Sequence, residues 1–164
     1  MPGQVVSLKK LKEFRKKWRK QGKKLVFTNG CFDLLHLGHI RYLKKAKSLG
    51  DILVVGLNSD RSVKKIKGEK RPILPEKERA EILSSLWFVD YVVLFNEETP
   101  ERLIKELEPD VLVKGADWKL KEIVGADLVR SRGGVVRRIP LYKGRSTTSV
   151  IDEIIRRYCS DLEK

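Results

Sequence analysis

At 164 residues the chain is long enough for one domain with its own buried core, and its two cysteines, Cys31 and Cys159, make no disulfide framework. Apolar residues make up 41% and charged residues 35%, and no apolar run approaches the ~18 residues of a membrane span. The formal net charge of +14 suits anionic ligands, but aromatics are only 7% and do not alternate with basic residues, so nucleic acid is not the expected partner.

The opening MPGQVVSLKKLKEF lacks the unbroken apolar core of a signal peptide, so a cytoplasmic location is expected. From Ser7 to Gln21, Leu8, Leu11, Phe14 and Trp18 recur every three or four residues among lysines and arginines. That spacing predicts an amphipathic helix, capped by Ser7 and ended by Gly22, lying outside the domain or against a partner subunit. The expected organisation is one domain over 1–164, with this helix in 1–22 and a catalytic core in 24–158.

The stretch LVFTNGCFDLLHLGHI, Leu25 to Ile40, carries the chemistry. Leu25, Val26 and Phe27 predict a strand; Thr28, Asn29 and Gly30 a tight turn; and a helix opens at Leu37 or Gly38. Backbone N–H groups at a helix start favour an anion, and His36 and His39 add donors there. Gly38 is expected to leave room for the ligand. These are the chain's only two histidines. No cysteine or third histidine stands at zinc-ligand spacing, so no protein-bound metal is expected. Cys31 reads more simply as a small packing residue than as a redox group.

Ile40, Leu43, Ala46 and Leu49 continue the helix to Gly50, and Ile52 to Leu57 is a continuous apolar strand, as a parallel sheet covered on both faces requires. Strand, helix, strand makes a βαβ unit whose first loop opens at the carboxyl edge of the sheet, where such folds bind ligands. Asn58, Ser59 and Asp60 fall on that edge. The lysine-rich segment RSVKKIKGEKRPILPEKER reads as a solvated loop that brings Lys67 and Arg71 near the phosphates.

A helix from Pro75 and Glu76 passes through Arg79; Tyr91 to Phe95 is a strand; Thr99 caps a helix through Leu107; Val111 to Val113 is another strand. Lys114, Gly115, Ala116, Asp117 and Trp118 follow. Asp117 suits sugar hydroxyls, and Trp118 either walls the pocket or packs on the next helix. Gly133 and Gly134 turn into a strand over Val135 to Ile139, and Ser146, Thr147 and Thr148 precede a helix with an apolar face from Val150 to Tyr158. The alternation predicts a Rossmann-like doubly wound parallel sheet of about five strands.

Gly30, Phe32, Asp33, His36, Gly38 and His39 spell G-x-F-D-x-x-H-x-G-H. With the later S-T-T, this chain resembles the cytidylyltransferase-like nucleotidyltransferases from Lys24 to Arg157. The resemblance implies transfer of a nucleoside monophosphate, with His36 and His39 on the phosphates and Arg79 contacting phosphate or organising the site. It implies a nucleotide held by Thr28, Asn29, Gly30, Cys31, Phe32, Gly38, Lys114, Gly115, Ser146, Thr147 and Thr148. The acceptor is expected on Asp33, Asn58, Asp60, Lys67, Arg71, Asp117 and Trp118, with Asp33 mainly ordering its loop.

Within the family, VLVKGADW, EIVGADLVRSRGGVV and GRSTTSVI look most like the adenylyltransferase half of the bifunctional heptose enzymes of lipopolysaccharide assembly. The partners so implied are ATP and heptose 1-phosphate, with Mg2+ held mainly by phosphates and water, a homodimer, and a separate heptose 7-phosphate kinase in the same pathway. Glycerol-3-phosphate cytidylyltransferases share the first and last motifs but carry an arginine before S-T-T, where this chain has Leu141, Tyr142 and Lys143. A nucleotide- or RNA-binding module without chemistry is the competing class.

Overall fold

The structure is a computed structural model that describes residues 3–140, 142, 144 and 146–159; Leu141 and Lys143 lie outside the described residues. Among the described residues six strands form one sheet in the order β1-β4-β3-β2-β5-β6, every neighbouring pair parallel. They are β1 (Gln4–Val5), β2 (Leu25–Gly30), β3 (Ile52–Asn58), β4 (Tyr91–Phe95), β5 (Val111–Gly115) and β6 (Val135–Ile139). The five strands expected from the sequence are present. The sixth is β1, a two-residue edge strand paired with Tyr91 and Val92 and too short to leave a periodic signal.

Among the described residues seven α-helices accompany them: α1 (Leu8–Lys20), α2 (Leu37–Lys47), α3 (Asp60–Lys67), α4 (Glu76–Ser84), α5 (Glu101–Leu107), α6 (Ala126–Ser131) and α7 (Thr147–Tyr158). Because side chains alternate across a strand, the sheet has two apolar faces and two cores. On one face Val26, Leu53, Val55, Val92 and Val113 meet Leu43 and Ala46 of α2 and Leu83 of α4. On the other, Phe27, Val54 and Leu112 meet Leu103, Ile104 and Leu107 of α5, Val129 of α6 and, from α1, Leu11 and Trp18.

The first helix is therefore part of the second core rather than an external arm. Ser7 caps it, accepting from the Lys10 amide at 3.3 Å, and Gly22 follows it at φ +66°. Arg15 points inward, its Nε donating to the Leu107 carbonyl at 3.1 Å and its Nη2 to Glu108 O and Asp110 Oδ1.

The lysine-rich segment expected as a loop begins instead as α3. Ser59 caps it through the Ser62 amide, and Ser62 and Val63 face inward. Only one fully buried apolar side chain among four charged residues after Asp60 leaves too weak a stripe to be recognised from periodicity. Helix α5 starts at Glu101, with Thr99 in the turn ahead of it.

Strand β2 lies between β3 and β5, so the chain leaves its carboxyl end toward one side of the sheet and later returns on the other. That reversal opens a crevice outside the strand ends, the usual ligand position in this architecture.

Candidate active site

A cavity of about 420 Å³ occupies this crevice. Its floor is the end of β2 and the segment after it, Asn29 to Asp33, with His39 from α2 beside it. On the β5 and β6 side the wall is Lys114, Trp118 and Ser146 to Thr148; on the β3 and β4 side it is Asn58, Lys67, Arg71 and the turn from Glu98 to Pro100. Gly115 lines a smaller adjoining pocket of about 150 Å³ with Tyr42.

Local geometry explains the histidine pair. His36 has extended backbone and caps α2, its Nδ1 accepting from the Gly38 amide at 3.1 Å. In the neutral ring this puts the hydrogen on Nε2. His39, one turn on, stacks against His36 with ring centroids 3.8 Å apart, and Phe32 meets its other side edge-on at 5.3 Å. Phe32 holds φ +43°, an unfavourable conformation for an aromatic residue, and its ring lies against Gly30, where a Cβ would come within 3.0 Å. Strain in this turn is retained where it positions the imidazole.

Burial, with repulsion from His36, brings the His39 imidazole down to about 4, so it is neutral at pH 7. Its Nδ1 is buried with no hydrogen-bond partner, as is Asn29 Oδ1. Both residues line the cavity, with these two unpartnered atoms lying beneath its surface. Burial also lowers the Lys114 ammonium to about 8, and its Nζ stands 5.4 Å from the centre of the Trp118 ring. Trp118 thus walls the cavity. Burial pushes the Cys31 thiol up despite nearby Lys67, Arg79 and Arg71, which suits its reading as a packing residue.

Several expected ligand contacts have other work. Asp33, with no exposed side-chain surface, accepts from the Ile73 and Leu74 amides at 2.9 Å and from Arg71 Nε at 2.7 Å. Its carboxylate is spent holding the segment after α3 over the cavity. Arg79 is also fully buried: it donates to Cys31 O, Asn58 O and Leu74 O and pairs with Asp60 at 2.7 Å. It ties the ends of β2 and β3 together, and neither it nor its counter-ion Asp60 lines the cavity.

The Thr28 hydroxyl lies beneath the cavity, 2.7 Å from Tyr42 Oη. Gly38 does not open space for ligand: a Cβ there would come within 2.9 Å of the His36 ring, and its amide is already bonded to that ring. His36 stands behind His39 rather than on the cavity wall, and Asp117 is exposed and off the wall. Ile66, Glu98, Thr99, Pro100 and Val124 line the cavity without having been expected there. Only the position of 98–100 just past a strand end signalled them.

The cytidylyltransferase-like family model matches residues 27–153, which contain β3 to β6 and all but the first two residues of β2. The chain belongs to the cytidylyltransferase-like family. It is a nucleotidyltransferase, as the sequence resemblance implied. A protein named bifunctional protein HldE from Geobacter metallireducens is 60% identical over 138 residues, 84% of this chain and 28% of that protein. One of the same name from Wolinella succinogenes is 54% identical over 150 residues, 92% of this chain and 31% of its own length. The chain therefore spans less than a third of these relatives.

Among solved structures, the lipopolysaccharide core biosynthesis protein of Thermoplasma volcanium superposes with a TM-score of 0.61 at 35% identity, over 76% of this chain and all of that one. A pantoate-β-alanine ligase from Francisella tularensis gives 0.60 at 18% identity, covering 99% of this chain and 80% of that one, a likeness of fold alone. No helix among the described residues is long and apolar enough to cross a membrane.

Proposed function

We propose that this nucleotidyltransferase transfers AMP from ATP to D-glycero-β-D-manno-heptose 1-phosphate, releasing pyrophosphate and forming ADP-heptose. The observation that carries the reading is the identity of 54–60% to proteins named HldE over 84–92% of this chain.

A phosphate oxygen of the sugar 1-phosphate attacks the α-phosphorus of ATP, a new P–O bond forms, and the bond to the pyrophosphate oxygen breaks. The nucleophile is already anionic, so no general base is required and rate comes from position and charge. Neutral His39 donates one hydrogen bond to the phosphoryl oxygens. His36 holds the start of α2 and backs His39. Lys114, Lys67 and Arg71 supply positive charge from two sides, and Ser146, Thr147 and Thr148 give hydroxyls at the start of α7. Arg79 and Asp33 keep the two loops in place.

Among the described residues no three His, Cys, Asp or Glu side chains converge in a way that could hold a metal ion. The donor set fits Mg2+ carried by the triphosphate and water, where it would neutralise phosphate charge. A homodimer and a separate heptose 7-phosphate kinase belong to the same proposal. The half-exposed Ile154 and Ile155 on α7 support the first.

The test is a panel of ATP and CTP against heptose 1-phosphate, other sugar 1-phosphates and glycerol 3-phosphate, read by pyrophosphate release. Turnover with ATP and heptose 1-phosphate well above the rest is expected. Preference for CTP, or for glycerol 3-phosphate, would overturn the assignment.

A further inference from the structure

The turn between β4 and α5 brings Glu98 and Thr99 to the cavity wall, and neither has a role in the chemistry above. Of the two carboxylates lining the cavity, Asp33 is buried and fully engaged, while the Glu98 side chain is 64% exposed and faces Lys65 at 3.6 Å. The rest of the polar lining is cationic, amide or hydroxyl, with the neutral His39 imidazole and the Cys31 thiol. A carboxylate here repels phosphate, yet it is a good acceptor for paired hydroxyls, which hydrogen-bond to its two oxygens.

The turn is held firmly. Asn58 Nδ2 donates to the Ser62 hydroxyl at 2.9 Å, that hydroxyl donates to the Glu97 carbonyl at 2.7 Å, and the Ser59 amide donates to Phe95 O. Asn58 and Ser62 are buried, so the end of β3, the first turn of α3 and the 97–99 turn move as one unit. Polar groups fixed this way suit recognition better than a mobile loop does.

In-line displacement puts the attacking phosphate oxygen opposite the leaving pyrophosphate, and the acceptor sugar and the nucleoside extend from the reacting phosphorus through different oxygens, so each needs its own pocket. His39, at the centre of the crevice, separates a β5 and β6 side bearing Trp118 and three hydroxyl residues from a β3 and β4 side bearing Glu98 and Thr99. We infer that Glu98 and Thr99 form the subsite for the vicinal hydroxyls of the acceptor sugar, with the nucleotide on the opposite side. This rests on the nucleotidyl-transfer reading and deepens it.

The experiment compares Glu98→Gln and Thr99→Val with the unaltered protein by steady-state kinetics on the best acceptor of the panel, together with calorimetry of ATP binding. The expected result for Glu98→Gln is a KM for the sugar phosphate raised about tenfold, the effect of one charged hydrogen bond, with ATP affinity within twofold. Thr99→Val raises the same KM by a smaller factor. Weaker ATP binding with an unchanged acceptor KM would overturn the inference by putting the nucleotide ribose on this turn, and so would no change in either. If the best acceptor is not the heptose, the substrate assignment falls while the KM comparison on the actual acceptor still decides the subsite. If no acceptor turns over, unchanged ATP binding together with loss of sugar 1-phosphate binding in Glu98→Gln supports it, and retained sugar-phosphate binding refutes it.

Discussion

The imidazole of His36 lies flat against that of His39, centroids 3.8 Å apart and planes 27° from parallel, while its Nδ1 accepts from the Gly38 amide. One ring caps the helix and the other faces the cavity, so the two histidines separate in mutants. His39→Ala is expected to reduce turnover by on the order of 10²-fold or more, the scale of a lost transition-state donor, and to leave the melting temperature little changed. Pyrophosphate release and thermal unfolding measured on the same preparation check both halves.

His36→Ala removes a helix cap and is expected to destabilise the fold by about 1 kcal/mol. His36→Asn keeps a capping oxygen and should recover most of that stability, but not the activity, because the ring backing His39 is gone. Urea unfolding alongside kinetics separates the two effects. Equal activity in His36→Asn and the unaltered protein would mean that the cap alone matters.

The depressed His39 value gives a pH dependence with a definite sign. Unfolded, the imidazole takes a proton near 6.5; folded, only near 4. Between those values the unfolded chain binds more protons, so stability falls as pH is lowered from 6.5 to 4, by about 3 kcal/mol for this one group. His39→Ala should flatten that part of the stability curve in chemical unfolding at a series of pH values. An unchanged slope would refute the buried neutral ring.

Much of this arrangement was legible in the sequence because it is local. LVFTNGCFDLLHLGHI places a strand, a turn and a helix start in sixteen residues, and hydrogen bonds over short separations give the His36 cap. What was not legible depends on distant partners. The resemblance singles out Arg79, but which of its two implied roles it takes depends on Cys31, Asn58 and Asp60 being brought around it. Asp33 sits in the motif, but its acceptors' partners lie about forty positions on, at Ile73 and Leu74. Glu98 and Thr99 reach the cavity only because β4 lies next to β3, which no local pattern encodes.

Asp33→Ala therefore tests architecture rather than chemistry. Burial raises the Asp33 carboxyl, but the Leu74 and Ile73 amides and Arg71 outweigh it and hold the value below the ordinary carboxylate range. Removing the carboxylate strands two amides and a largely buried guanidinium, at a cost of about 3 kcal/mol. Hydrogen exchange should rise at Ile73 and Leu74 first, and KM for the acceptor should rise with it as Arg71 leaves the wall. A variant as stable as the parent would show that the segment after α3 is held by other contacts.

Lys114 gives a second, opposite pH signature, in function. Its ammonium is lowered to about 8 by burial, so in the free enzyme it is charged below that value and loses its proton above it. A phosphate ligand prefers the charged form; kcat/KM for ATP should accordingly be flat below pH 8 and fall above it, reporting the free-enzyme value. Lys114→Met keeps the aliphatic stem against Trp118 and removes the charge. It should raise KM for ATP about tenfold at pH 7 and abolish the decline above pH 8, and a variant that retains the decline would assign it to another group.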